Sequence, residues 1–122
     1  MLKKVALLSC LIAAMPSVAM AQTPVGEGFG VGMRTCADFA RDYVANTTAA
    51  EDVYFTWAQG FMSALNLTAS ANQGVYRLID GTAMPTYKTQ IRSFCDEHPL
   101  APYVAAVIDL MKSLPTRKTN SK

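Results

Sequence analysis

The stretch Thr48-Ala49-Ala50-Glu51-Asp52-Val53-Tyr54-Phe55-Thr56-Trp57-Ala58-Gln59-Gly60-Phe61-Met62-Ser63-Ala64-Leu65 decides the fold class. Its apolar positions Val53, Tyr54, Trp57, Ala58, Phe61, Ala64 and Leu65 recur at steps of three and four, the period of one helix face. Thr48 and Glu51 have capping-box spacing, so a helix is expected to begin there. Gly60 is the interior residue that costs about 1 kcal/mol relative to Ala, and a small residue between Trp57 and Phe61 suggests close approach of another helix.

The same period appears on both sides of this segment. Upstream, Thr35 is a plausible N-cap for a helix whose face carries Cys36, Phe39, Ala40, Tyr43 and Val44. Downstream, residues 66–81 hold the turn signals Asn72-Gln73-Gly74 and Asp80-Gly81, and read as loop with one short helical turn at most. Thr82 and Pro85 then suit the start of a third helix lined by Met84, Tyr87, Ile91, Phe94 and Cys95, which His98-Pro99 should stop. Pro102 opens a fourth, with Tyr103, Val104, Val107, Ile108, Met111 and Leu114, ended by Pro115. No run of alternating β-branched residues is bounded by hairpin turns. The expected fold is therefore all-α, a small bundle of about four helices over residues 35–115.

The flanks read differently. Residues 1–21 have the layout of a secretory signal: Lys3 and Lys4, an apolar run from Val5 to Ala14, and Ala19-Met20-Ala21 as the cleavage end. The run is about ten residues, too short to span a bilayer of ~30 Å, and no later stretch approaches that length. Export, with cleavage after Ala21, places the mature chain in the periplasm. Residues 22–34 contain Gly26, Gly28, Gly30 and Gly32 and predict a flexible arm outside the core. Residues 116–122, with Arg117, Lys118 and Lys122, predict a disordered basic tail.

The chain has 122 residues, 51% apolar and 16% charged, with a formal net charge of +2. That length suits one domain. Without Lys3 and Lys4, nine of its eleven basic residues remain against nine acidic ones. Since three of those bases lie after Pro115, the body is mildly acidic, which argues against nucleic acid as a partner. Cys10 belongs to the signal, where only about five apolar residues precede it and Ser9 stands where lipid attachment expects Gly or Ala. Cys36 and Cys95 remain, and an even pair in an exported chain reads as a disulfide. Closing a loop of about 60 residues stabilises by ~4 kcal/mol in the chain-entropy model.

Residues of the kinds that do chemistry are present but not arranged for it. One histidine, His98, sits beside a proline, and no nucleophile with a base nearby can be assembled from the pattern. Asp96, Glu97 and His98 are consecutive and point apart, so they read as a solvated helix end rather than a metal site. Asp38 with Asp42 and Glu51 with Asp52 read as exposed polar faces. Gly26 to Gly32 follows no strand and lacks the Lys-Ser/Thr of a phosphate loop. The expectation is a protein that is not an enzyme and takes no cofactor or metal. The face of Tyr54, Trp57, Phe61 and Leu65 has the aromatic area to hold a protein partner, with core packing as the alternative. A homodimer stays open.

Thr35-Cys36-Ala37-Asp38-Phe39, opening the first helix soon after a signal, resembles the Thr-Cys-x-Asp/Glu-Phe start of the periplasmic acid-stress chaperones HdeA and HdeB. Ile91-Arg92-Ser93-Phe94-Cys95-Asp96-Glu97-His98-Pro99 is similar to the second cysteine segment of that family, with its proline four residues on. The resemblance implies a small helical domain with one internal disulfide that loosens at low pH and holds unfolding client proteins. The chain is poorer in lysine and in charge than those chaperones. Trp57-Ala58-Gln59-Gly60-Phe61 resembles instead a neighbouring group of small secreted helical proteins, which includes immunity proteins that neutralise toxins delivered between bacteria. The first resemblance implies a chaperone, the second a toxin-neutralising or inhibitory binding protein acting at neutral pH.

Overall fold

The computed structural model describes residues 27–120, and the signal-peptide assignment lies outside them. Helix α1 spans Cys36–Ala45, α2 Thr47–Gln73, α3 Met84–Glu97 and α4 Tyr103–Ser113. Two short strands, β1 (Val75–Arg77) and β2 (Thr116–Lys118), form an antiparallel pair, and one-turn 3-10 helices occupy Val31–Met33 and Gly81–Ala83. Four helices are what the periodicity predicts, and the Cys36–Cys95 disulfide expected from the cysteine pair joins α1 to α3.

The first two helices start where a side chain caps their free N–H groups, and the last two start at prolines. At α1, Thr35 Oγ1 accepts from Asp38 N, and Asp38 Oδ2 accepts from Thr35 N, a complete capping box. The start of α2 differs from the expected Thr48–Glu51 box: Asn46 is the cap, its Oδ1 accepting from Ala49 N at 3.1 Å. Glu51 is turned away to pair with α3. Pro85 lies in the first turn of α3, and His98 ends it as the following proline requires. Pro102 is the N-cap of α4 rather than a residue of its first turn.

The largest departure is the length of α2. It continues through residues 66–73, read as loop, and stops at Gly74, whose φ of 65° is left-handed and suits glycine. Strand β1 follows at once. Its partner β2 lies in the segment expected to be a disordered tail, and the two pair as Val75 with Lys118, Tyr76 with Arg117 and Arg77 with Thr116. Arg77 fixes the junction: its Nη1 donates to the carbonyls of Leu114 at 2.9 Å and Lys112 at 3.4 Å, the orphan acceptors at the end of α4.

The core lies between the four helices and contains Cys36, Phe39, Tyr54, Phe55, Ala58, Met62, Tyr87, Ile91, Cys95, Tyr103, Val107 and Leu110. On α2 the buried stripe is Ala50, Tyr54, Phe55, Ala58 and Met62, so it is turned toward Phe55 and Met62 and away from Val53, Ala64 and Leu65. On α1, Ala40 is exposed and Val44 is 86% exposed, because this short helix buries only Cys36 and Phe39. A β-bridge between Thr35 and Pro102, with Cys36 N to Ala101 O and Tyr103 N to Arg34 O both at 2.8 Å, seats the start of α4 against the start of α1.

Candidate functional site

The segment 27–34 is not an arm outside the core. It crosses α2 as a strap, and its glycines are what let it approach. Trp57 Nε1 donates to Phe29 O at 3.0 Å, and Gly32 is buried with its Cα against the indole ring. Any Cβ at Gly32 would fall inside the space of that ring, and Gly30 holds a φ of 86° beside it. Val31 packs on the core from the same strap.

Beneath the strap lies a continuous aromatic cluster. Trp57 stacks on Phe61 with ring centres 5.2 Å apart and planes 11° apart, and meets Tyr103 edge-on at 6.5 Å. Tyr103 and Tyr54 are 5.0 Å apart, and Phe39 touches both, at 5.1 and 4.9 Å. Such offset and edge contacts add about 0.5–1.5 kcal/mol each beyond area burial. Burial pushes the Tyr103 phenol pKa upward.

Two carboxylates of α1 fasten the strap over this cluster. Arg34, the last strap residue, donates to Asp42 Oδ2 at 2.7 Å and lies 3.8 Å from Asp38 Oδ1. Arg41 closes the ring, 2.9 Å from Asp38 and 3.3 Å from Asp42. Tyr54 on α2 donates its hydroxyl to the same Asp42 Oδ2 at 3.0 Å. Asp38 is held below the usual carboxylate range chiefly by the Thr35 hydroxyl, with Arg41 and Arg34 assisting. Asp42 is held low chiefly by the Tyr54 hydroxyl, then by Arg34 and Arg41. The Tyr54 phenol is correspondingly pushed up to about 12, by burial first and by its bond to Asp42 second.

A second clasp joins α2 to α3. Glu51 pairs with Arg92 and, at 3.2 Å, with Lys88, while Lys88 lies over the Phe55 ring and Arg92 over the Tyr43 ring. Thus Asp38, Asp42 and Glu51, expected as plain solvated faces, are inter-element braces. The signal that could have found the first brace is Arg34 preceding Asp38 and Asp42 by four and eight residues, one side of a helix.

The four partner-binding candidates separate. Tyr54 is buried at 2% exposure and is a core residue, out of reach of any partner of the folded state. Trp57 and Phe61 are half-buried under the strap, and Leu65, at 37%, continues the line into solvent. Gly60, between them, faces open space rather than another helix. Among the described residues no group of His, Cys, Asp and Glu could hold a metal ion, and no helix is long and apolar enough to cross a membrane.

Fold and site together define a small disulfide-bridged helical protein with an ion-paired strap over an aromatic cluster. No family model, curated protein or solved structure matches the chain.

Proposed function

We propose that this is an exported acid-stress chaperone, a binding protein rather than an enzyme, which holds unfolding proteins when the Asp38 and Asp42 carboxylates that clasp its strap are protonated. The observation that carries the reading is the position of Asp42, one carboxylate that fastens both the strap, through Arg34, and the aromatic core, through Tyr54. Asp38 and Asp42 have folded-state pKa values below the ordinary 3.8. Groups depressed in this way stabilise the fold above the unfolded value and lose that contribution as pH falls through the folded one. As pH falls through those depressed folded-state values, below 3.8, Arg34 and Arg41 lose their partners and repel each other, and the strap loses its ionic hold on α1. Trp57 and Phe61 then become the apolar surface a client meets, while the Cys36–Cys95 bridge still joins α1 to α3. An oxidising periplasm suits that bridge, and the Thr35–Phe39 and Cys95–Pro99 segments resemble the HdeA and HdeB chaperones in sequence.

The test is light scattering of an aggregating client at about pH 2 to 3, with and without the protein. Suppression at acid pH and none at neutral pH is expected; aggregation unchanged at molar excess sinks the reading.

A second reading rests on what is already exposed at neutral pH. Phe29, whose carbonyl holds Trp57, is itself 90% exposed, and Leu65 lies beyond Phe61, so this side has apolar contacts to offer a folded partner. That favours a toxin-neutralising or inhibitory protein. Failure to recover a stable partner in neutral-pH pull-downs from cells making a neighbouring toxin would remove it.

A further inference from the structure

The two strands close their outer edges differently. The backbone bonds Thr119 N to Gly74 O and Leu78 N to Pro115 O, both 2.8 Å, set the phase of the ladder. With that phase, Tyr76 and Arg117 face each other's hydrogen-bonding groups, whereas Val75 and Arg77 on β1 and Thr116 and Lys118 on β2 turn their N–H and C=O outward. On β1 the outward groups of Arg77, at the centre of the junction with α4, are taken by a side chain: Asn66 of α2 accepts from Arg77 N and donates to Arg77 O, each at 2.8 Å, as a neighbouring strand would. On β2 nothing among the described residues bonds the outward groups of Thr116 and Lys118, and all three residues of the strand are exposed.

Charge is distributed with the same asymmetry. Arg34, Arg41, Lys88 and Arg92 are all spent in ion pairs. Among the described residues the cations without a carboxylate partner are Arg77, Lys112, Arg117 and Lys118, all at the β1–β2 end, and Arg77 is occupied with the α4 carbonyls. Asp80 and Asp109, the acids nearest in sequence, make no ion pair with them.

We propose that the outer edge of β2 takes up an extended acidic polypeptide segment as a third, antiparallel strand. The outward N–H and C=O of Thr116 and Lys118 supply the backbone bonds, and Arg117, Lys118 and Lys112 supply the charge selection. A second copy of this chain is the wrong occupant, because β2 against β2 sets basic side chains opposite one another. The same charges that blunt this edge against self-association attract a strand of alternating acidic residues. The site is present in the folded state and is independent of the acid-chaperone reading.

The experiment uses the folded protein at neutral pH and a peptide of about eight residues alternating Glu with Val or Thr, a usual strand length. A second peptide has the same charge with proline at every position between the glutamates, which removes every second N–H donor and breaks the ladder. NMR-detected solvent exchange is followed at the Thr116, Arg117 and Lys118 amides. Expected are protection at Thr116 and Lys118 on adding the first peptide, little change at Arg117, and binding at least about tenfold weaker for the proline peptide. The variant Lys118→Pro, which removes one outward N–H together with one cation, should lose most of the binding, whereas Lys118→Ala, which removes the cation alone, should lose clearly less. Equal binding of both peptides would reduce the site to charge adsorption and overturn the proposal. So would protection of the same amides by the protein's own concentration, or by phosphatidylglycerol vesicles in preference to the peptide.

Discussion

The hydroxyl of Tyr54 donates across 3.0 Å to Asp42 Oδ2, the oxygen that also receives Arg34 at 2.7 Å. A core phenol and a surface guanidinium thus share one acceptor, so the charge state of a single carboxylate reaches both the strap and the aromatic cluster. Tyr54→Phe keeps the ring and removes the donor. It should cost about 1 kcal/mol in urea unfolding, the net worth of such a bond. It should also move the Asp42 carboxyl pKa upward, because that hydroxyl is the largest influence holding it low. An NMR titration of the Asp42 carboxyl carbon separates the two effects.

The paired variant Asp38→Asn with Asp42→Asn tests the acid limb. Both native carboxyls titrate below 3.8 when folded, so the unfolded chain binds protons first as pH falls and stability drops. The variant should start less stable at neutral pH and fall less steeply below about pH 4. A urea midpoint measured against pH reads both; parallel curves would show that these two groups do not set the acid response.

Gly32 and Gly60 should respond oppositely to alanine. At Gly32 the new methyl meets the Trp57 ring, and overpacking of this kind costs about 1–3 kcal/mol. The strap should lift, which red-shifts Trp57 fluorescence and speeds exchange of its indole N–H. At Gly60 there is open space, and Gly60→Ala should stabilise by about 0.5–1 kcal/mol through helix propensity alone.

Cys36 and Cys95 are 59 residues apart and bonded. The chain-entropy model assigns such a loop ~4 kcal/mol, comparable with the whole stability of a small domain. Reduction, or Cys95→Ser, should lower the thermal midpoint sharply. In acid, below the depressed folded-state values of Asp38 and Asp42, it should also expand the chain in small-angle scattering. A reduced protein as compact in acid as the oxidised one would show that packing alone holds the acid state together.

The helical architecture was legible because it is written in local period. Phe39, Tyr87, Ile91, Tyr103 and Val107 lie on the faces their spacing predicts, and all are buried. What escaped depends on distant partners. Residues 66–73 carry Asn and Ser, which are poor signals for a helix interior, yet α2 continues through them, with the Asn66 side chain bonded to the distant Arg77 backbone. Glycines at 28, 30 and 32 suggest freedom, whereas Trp57 uses the missing side chains at two of them for close contact. Thr116-Arg117-Lys118 has nothing apolar to bury and is ordered by backbone pairing with a segment some forty positions earlier, which no local window contains. For Tyr54 the core alternative holds, and what the spacing could not supply is its hydroxyl partner, because Asp42 belongs to another helix.

The disulfide also decides which parts of the molecule can carry tension. Helices α1, α2 and most of α3 lie inside the covalent ring, while the strap before Cys36 and all of α4 and β2 after Cys95 lie outside it. A force drawing Glu27 and Asn120 apart passes through the sulfur–sulfur bond and bypasses the ring. Strap, α4 and β2 would strip away first, uncovering Trp57. The enclosed chain, ~200 Å of contour at ~3.5 Å per residue, would stay hidden from the pull until the bridge was reduced.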